Sequence, residues 1–333
     1  MPRPQRVAVI GVSHWHSTYG GVAYLKHLTA LKLDIVGVSD PNVKIAEDRA
    51  KRFNSTAFDD YRAMIEKTKP EFVIALGKHI EMPTIFRFMV DTGIPFAMEK
   101  PWGIDYATIE SLVNLAESKK AWATVTLPGR FTFWAEEARR RIAAGEFGAI
   151  SHIVTRSNRG SLKRYPEMDS AWMLSRKEAG GGCLINLGCM PFDTCRFITG
   201  EEPSVVASVM TNSVHKSDVE DFAEVTLRTP SNILCFTASG YTLPTDEHEG
   251  SDNDRKIVGE KMMMRAVKEG VHIWGHGRDE IVPTPAGYVG THRRIIMECL
   301  DRIEKGQPPP ITPRDCLKVM RLVFDAYLLA GRA

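Results

Sequence analysis

Glu99, Lys100 and Pro101 stand together at the end of a short apolar run, Phe96-Ala97-Met98. A run of this kind reads as a buried strand. Open α/β sheets gather their ligands at the carboxyl ends of strands, so an acid and a base emerging there stand where chemistry is done. An acid beside a base is a pair that can serve proton transfer. A surface ion pair before a proline turn would use the same three residues, so the surrounding chain must decide between the two.

The amino-terminal stretch supplies a context for cofactor binding. Arg6 to Ile10 is β-rich and breaks at Gly11, and Val22, Leu25 and Leu28 follow at helical spacing. Strand, glycine turn and helix form the frame of a dinucleotide fingerprint. Gly11 makes the tight turn, but Ser13 and His16 occupy the places of the second and third glycines. Ser13 is small enough to let backbone approach a pyrophosphate, whereas His16 crowds the helix–strand contact that glycine permits. His14 and His16, two apart in a loop, lack a third ligand, so no metal is expected. Asp40 ends the apolar run Leu33 to Val38 at about the 20-residue offset of a ribose-binding acid. A carboxylate there accepts from both ribose hydroxyls and repels a 2′-phosphate, which favours NAD over NADP. A turn-forming Asp before Pro41 is the plainer alternative.

Strand and helix patterns then alternate. Helices are read over Val43 to Phe53, Tyr61 to Thr68 and Pro83 to Val90, with strands at Thr56 to Phe58, Phe72 to Leu76 and Phe96 to Met98. Asp105 caps a further helix, and Trp122 to Thr126 is one more strand. Such alternation implies an α/β fold with a doubly wound parallel sheet, a Rossmann domain over residues 1–126. Beyond it, β-type runs at Ile150 to Thr155, Ser204 to Met210, Phe222 to Leu227 and Ile233 to Ser239 follow one another with few helices between. They imply an α+β domain over residues 127–333 with an open, mainly antiparallel sheet. Its carboxy-terminal helix is expected to pack back on the first domain. Leu243 to Arg255 is polar and acidic and reads as a solvated loop.

The 333 residues carry Lys+Arg 43 against Asp+Glu 41, a net charge of +2. A nucleic-acid binder needs a concentrated basic face, and this balance argues against one. Arg139-Arg140-Arg141 reads as the solvated side of a helix. Six cysteines in a chain this long are too few for a disulfide scaffold, so free thiols in a cytoplasmic protein are expected. No stretch reaches the roughly 18 apolar residues of a membrane span.

Four stretches in order carry a resemblance to the Gfo/Idh/MocA family of sugar and polyol dehydrogenases. They are Val9-Ile10-Gly11 with Asp40, Val73 to His79, Glu99-Lys100-Pro101, and Gly180 to Gly188. Gly145 to Ile150 and Val219-Glu220-Asp221 are also similar. The resemblance implies that Lys100 reaches substrate and nicotinamide and acts as acid–base residue, with Glu99 in support and a Lys100–Pro101 bond that is often cis. It further implies that Gly11, Ser13, His14, Trp15, His16, Asp40, Leu76, Gly77, His79, Glu99 and Lys100 line the dinucleotide. The family follows its glycine run with Asp-x-Gly-x-His-x-x-Asp; here the positions hold Asn186, Gly188, Met190 and Asp193. Asn186 can hydrogen-bond a hydroxyl without carrying charge, and Met190 cannot move a proton. Asn186, Asp193, Arg130, Trp172 and Tyr165 are the residues that the resemblance places around a carbohydrate-like substrate.

The function implied is that of an NAD-dependent oxidoreductase acting on a sugar, polyol or related hydroxyl compound. Met190 in place of histidine keeps a second reading in view, a dinucleotide-binding sensor without catalysis. A third is an NAD-using lyase or glycosidase, whose product would lack water or an aglycone. The open sheet face is expected to form a homodimer or homotetramer, because a broad apolar face in water is unfavourable.

Overall fold

Strand β1 (Arg6–Ile10) is buried from Val7 onward, as a central parallel strand must be when helices cover both faces of its sheet. The computed structural model describes residues 2–160, 162–245 and 250–332. After β1 come α1 (Tyr24–Ala30), β2 (Asp34–Ser39), α2 (Val43–Arg52), β3 (Ala57–Phe58) and α3 (Tyr61–Thr68). The alternation continues with β4 (Phe72–Ala75), α4 (Met82–Thr92), β5 (Phe96–Met98), α5 (Tyr106–Ser118) and β6 (Ala123–Val125). These strands form one parallel sheet in the order β3-β2-β1-β4-β5-β6, the doubly wound arrangement. Asp105 caps α5 through the Thr108 amide at 2.8 Å.

Beyond β6 the chain forms α6 (Phe133–Ala143), β7 (Ile150–Arg159), α7 (Arg164–Glu167), α8 (Arg176–Ala179) and α9 (Cys189–Thr199). Six strands follow: β8 (Ser204–Thr211), β9 (Phe222–Arg228), β10 (Leu234–Gly240), β11 (Ser251–Gly259), β12 (Met263–Ala266) and β13 (Gly270–Gly275). The last elements are β14 (Arg278–Pro283), α10 (Thr291–Glu304) and α11 (Pro313–Leu329).

The packing divides the chain differently from a single cut after residue 126. The first compact unit takes in residues 1–126 together with 163–180 and 292–318. Side chains near the edge strand β6 hold the later segment: Trp122 Nε1 donates to Gln307 O at 2.9 Å and Thr124 Oγ1 to Ile311 O at 2.8 Å. Covering a sheet edge in this way removes a row of unpaired backbone groups. Helix α11 starts in the first unit and ends in the second, which comprises residues 127–162, 181–291 and 319–333.

The second unit is built on an eight-stranded sheet in the order β14-β13-β12-β11-β7-β10-β9-β8. All its pairings are antiparallel except β7 with β10. Three sequence expectations are corrected here. Ser251 to Arg255 is not loop but the start of β11, with Ser251 opposite Arg159 and Arg255 opposite Thr155. Its acids pair with strand neighbours, Asp252 with Arg156 at 2.8 Å and Asp254 with Arg265 at 3.0 Å, so a strand carrying matched charges reads as solvated. Residues 246–249 of that expected loop lie outside the described residues. Arg141 is not solvated but 6% exposed, paired with Glu137 at 2.7 Å and Glu146 at 2.5 Å. Cys195 and Cys235 are joined as a disulfide between α9 and β10, while Cys183, Cys189, Cys299 and Cys316 are free and buried. No helix among the described residues is long and apolar enough to cross a membrane.

Candidate functional site

In the first unit β4 and β5 pair side by side, with Ala75 opposite Met98. The segments leaving them, Leu76 to His79 and Glu99-Lys100, therefore emerge together at the carboxyl edge of the sheet. Lys100 is 6% exposed, and the Lys100–Pro101 peptide is cis. Glu99 is buried; its Oε1 accepts from Tyr24 Oη at 2.7 Å and lies 3.1 Å from His16 Nδ1. Burial alone raises the Glu99 carboxyl, but the attraction of His16 and Lys100 outweighs it and holds the group well below the usual carboxylate range. Glu99 is thus a fixed anion beside Lys100.

The loop after β1 faces the same edge. Gly11 has φ +74°, and a Cβ there would meet Leu76 O at 2.5 Å, so only glycine allows this turn against β4. Ser13 N donates to Asp40 Oδ2 at 2.7 Å, and Asn42 N to Asp40 Oδ1 at 3.0 Å. Asp40 therefore ties the fingerprint loop to the end of β2. His16 N donates to His14 Nδ1 at 3.1 Å. Burial and the repulsion of His16 lower His14 well below the ordinary histidine value, so its ring is neutral. Trp15 lies against His16, ring centroids 4.0 Å apart, and meets Tyr165 edge-on at 6.2 Å. A close-approach glycine, a small Ser13 and an acid ending β2 fit a dinucleotide. The loop is bulkier than a glycine-rich fingerprint at His14, Trp15 and His16.

Residues 163–180, though late in sequence, dock on this edge. Ile80 N donates to Glu178 O at 3.1 Å, Lys78 Nζ lies 3.2 Å from Glu178 Oε1, and His79 Nδ1 is 2.7 Å from Ala179 O. Trp172 stands edge-on to His79 at 4.8 Å. Burial, followed by the charge of Lys100, lowers His79 to about 3. The first unit thus gathers Gly11, Ser13, His14, Trp15, His16, Asp40, Leu76, Gly77, His79, Glu99 and Lys100 with Tyr165 and Trp172.

Asn186, Asp193 and Arg130 belong to the second unit. Asn186 lies in a π-type turn, Leu184–Gly188, and donates from Nδ2 to Tyr241 Oη at 2.7 Å. Helical irregularities of this kind concentrate at functional sites. Glu220 Oε1 holds the turn by accepting from Gly182 N and Leu184 N, each at 2.9 Å, and from Tyr327 Oη at 2.7 Å. Arg130 forks onto Asp193 at 2.7 and 2.6 Å, with Arg196 3.5 Å away, and Asp193 is 0% exposed. The pair joins the turn at Pro128–Phe131 to α9. Met190 sits near the start of α9, partly exposed. Tyr24, Tyr241, Tyr327 and His292, whose ring meets those of His16 and Tyr24 edge-on, escape sequence reasoning as partners of these groups, and Glu220 was singled out only as part of a similar stretch, without a partner. Each lies on an ordinary helix, strand or turn pattern, and only the packing brings it to its carboxylate, ring or amide.

Comparison with known proteins agrees with this arrangement. Residues 5–127 match the model of the oxidoreductase family with an NAD-binding Rossmann fold, and residues 135–265 match the GFO/IDH/MocA C-terminal domain. The chain is 24% identical over 219 residues to trans-1,2-dihydrobenzene-1,2-diol dehydrogenase of Mus musculus, covering 65% of this chain and 63% of that enzyme, less than two thirds of its length. It is 26% identical over 287 residues to myo-inositol dehydrogenase Hyg17 of Streptomyces leeuwenhoekii, covering 85% of this chain and 82% of the relative. The fold is shared with aldose-aldose oxidoreductase from Caulobacter crescentus, crystallised with glycerol, at TM-score 0.81 and 18% identity over 99% of this chain and 98% of that one.

Proposed function

The chain belongs to the GFO/IDH/MocA oxidoreductase family, and from that premise we propose that it is an NAD-dependent dehydrogenase of a sugar, polyol or related hydroxyl compound. The observation that carries the reading is Lys100, buried beside the anionic Glu99 at the carboxyl edge of the dinucleotide sheet.

Lys100 takes the proton from the reacting hydroxyl, and Glu99, held by Tyr24 and His16, keeps that lysine in place. The dinucleotide, when bound, supplies the hydride acceptor. Gly11 and Ser13 would admit its pyrophosphate, and Asp40 would meet its adenine ribose, where a carboxylate favours free hydroxyls over a 2′-phosphate. Tyr165 and Trp172 offer apolar faces to the substrate. Asn186, its amide set by Tyr241, orients a hydroxyl but holds no charge. Arg130 and Asp193, spent on each other, are assigned to holding α9 rather than to the substrate. The names of the relatives, a cyclic diol dehydrogenase and an inositol dehydrogenase, support a substrate with hydroxyls on a ring.

The test is reduction of NAD and NADP across a panel of polyols, sugars, sugar acids and cyclic diols. Turnover of a member identifies the dehydrogenase. Tight dinucleotide binding with no turnover favours the sensor, the reading that Met190 supports. We further propose self-association through the open sheet, because β8, β13 and β14 expose Val206, Val209, Trp274 and Ile281. A monodisperse monomer at micromolar concentration by light scattering would remove that proposal.

A further inference from the structure

Strand β11 carries charge on both faces of the second unit's sheet, and the two faces differ. Asp252 and Asp254 lie on one face, where Arg156 and Arg265 match them at 2.8 and 3.0 Å. Arg255 projects to the other, because successive side chains of a strand alternate. That face also carries the buried Ile153, Ile257 and Cys235, and the Cys195–Cys235 disulfide shows that α9 covers part of it. The register sets Thr237 of β10 opposite Thr155 of β7, and Thr155 opposite Arg255. Opposed Cβ atoms such as those of Thr155 and Arg255 stand about 4.5–5.5 Å apart. Thr155 is 7% exposed, and its Oγ1 is buried with no hydrogen-bond partner. A buried hydroxyl in that state is costly. Arg255 is partly exposed, and among the described residues the one charge acting on it is the like charge of Arg159, from the same face of β7. Burial first and Arg159 second lower the Arg255 guanidinium below its ordinary value, as happens when cations converge without an acid between them. The turn that carries Asn186 packs on this face too: Cys183 Sγ donates to Ser239 O at 3.2 Å, and a Cβ on Gly188 would lie 3.6 Å from Ser239 Oγ. Ser239 and Arg255 are separated by two strand spacings and two residues, roughly 12 Å, which an arginine side chain and a sugar-sized ligand can bridge.

We propose that Arg255 and Thr155, with Arg159 beside them, bind an anionic group of the substrate, a carboxylate or a phosphate, so that the chain acts on sugar acids or sugar phosphates. The Arg255 fork donates to the anionic oxygens, and Thr155 Oγ1 gains the partner it lacks. This inference rests on the dehydrogenase reading above and names the substrate class. Asn186, on the same face, keeps the hydroxyl assigned to it there.

The experiment titrates the NAD-loaded protein calorimetrically with a panel of hexuronates and hexose monophosphates, each beside its neutral hexose, and follows NAD reduction with the same compounds. Charge-assisted hydrogen bonds are worth roughly 10- to 100-fold, so the unmutated protein should bind the best anionic member tighter than its neutral counterpart by about that factor. Whether that member is a hexuronate or a monophosphate identifies the group. Arg255→Gln keeps much of the length without the charge and should reduce the preference to within about threefold. Arg255→Lys keeps the charge without the fork and should retain part of it. Thr155→Val replaces the hydroxyl by a methyl group and should lower the preference about 3- to 10-fold. These last two variants carry the test if Arg255→Gln does not fold. Equal binding of charged and neutral members by the unmutated protein overturns the subsite, as does a preference that is unchanged in Arg255→Gln. Anion binding that depends on Arg255, with no NAD reduced by any compound, upholds the subsite and overturns the dehydrogenase reading. Reduction of NAD by neutral hexoses with no preference for the anionic members does the reverse.

Discussion

His16 Nδ1 lies 3.1 Å from Glu99 Oε1, so the loop that turns off β1 is joined directly to the residue preceding Lys100. Tyr24, on α1, donates to the same carboxylate oxygen at 2.7 Å. Glu99 is therefore the point where the loop after β1, the first helix and the end of β5 meet. Glu99→Gln removes the charge but keeps the shape, and turnover should fall about 10- to 100-fold with little change in dinucleotide affinity. Equal turnover in Glu99→Gln would show that the anion contributes only to packing.

Acid should loosen the first unit earlier than its carboxylates alone would dictate. His79 and His292 are lowered to about 3, each first by burial and then by a neighbouring cation or ring, Lys100 for His79 and His16 for His292. In the unfolded chain both titrate near roughly 6.5. Between those values the unfolded chain binds protons that the folded one refuses, so stability falls as pH drops from about 6.5 toward 3, by about 1.4 kcal/mol per pH unit per histidine. Glu99, depressed in the fold, adds to the loss only as pH falls below its unfolded value of about 4.3. Urea unfolding at pH 7.5, 6 and 5 should show the decline, and His292→Gln should flatten the slope by about one proton.

Lys100→Ala should lower turnover on a confirmed substrate by about 10²–10⁴-fold, the usual worth of general acid–base assistance. Lys100→Arg should rescue little, since a guanidinium stays protonated near neutral pH. Dinucleotide titrations should be nearly unchanged in both variants. Full turnover in Lys100→Ala would end the acid–base role.

Asp40 accepts from Ser13 N and Asn42 N, so Asp40→Ala loosens the fingerprint loop as well as removing a charge. NAD affinity should fall by roughly 1–3 kcal/mol, the cost of charge-assisted hydrogen bonds lost, while NADP affinity falls less. A calorimetric titration in which the unmutated protein prefers NADP would contradict the ribose assignment.

Gly182 is required by crowding. A Cβ there would meet Glu220 O at 2.1 Å, a backbone atom that cannot move aside. Gly182→Ala should cost roughly 1–3 kcal/mol of stability and displace the turn that carries Asn186. Gly21→Ala is the control, because nothing lies within 4 Å of that Cβ position. Comparable melting temperatures for the two variants would refute the crowding argument.

The doubly wound sheet was legible in the sequence because its strands are continuous apolar runs and its helices carry one apolar stripe. The positions of Gly11, Asp40 and Lys100 just beyond the ends of β1, β2 and β5 were legible for a related reason: strand ends are where periodicity changes. The charged strand β11 was not legible, since Asp252 and Asp254 are matched by Arg156, 96 residues from its partner, and by Arg265 on the next strand, pairings that appear only once the sheet forms. Nor was the return of residues 163–180 to the first unit. It rests on contacts such as His79 with Ala179, separated by 100 residues, which no local pattern encodes. The same holds for what each polar group does. The resemblance placed Asp193 and Arg130 around a substrate, and only the fold shows that the two side chains bond each other. Local periodicity determines which faces are buried; which charge meets which is decided only when distant segments pack.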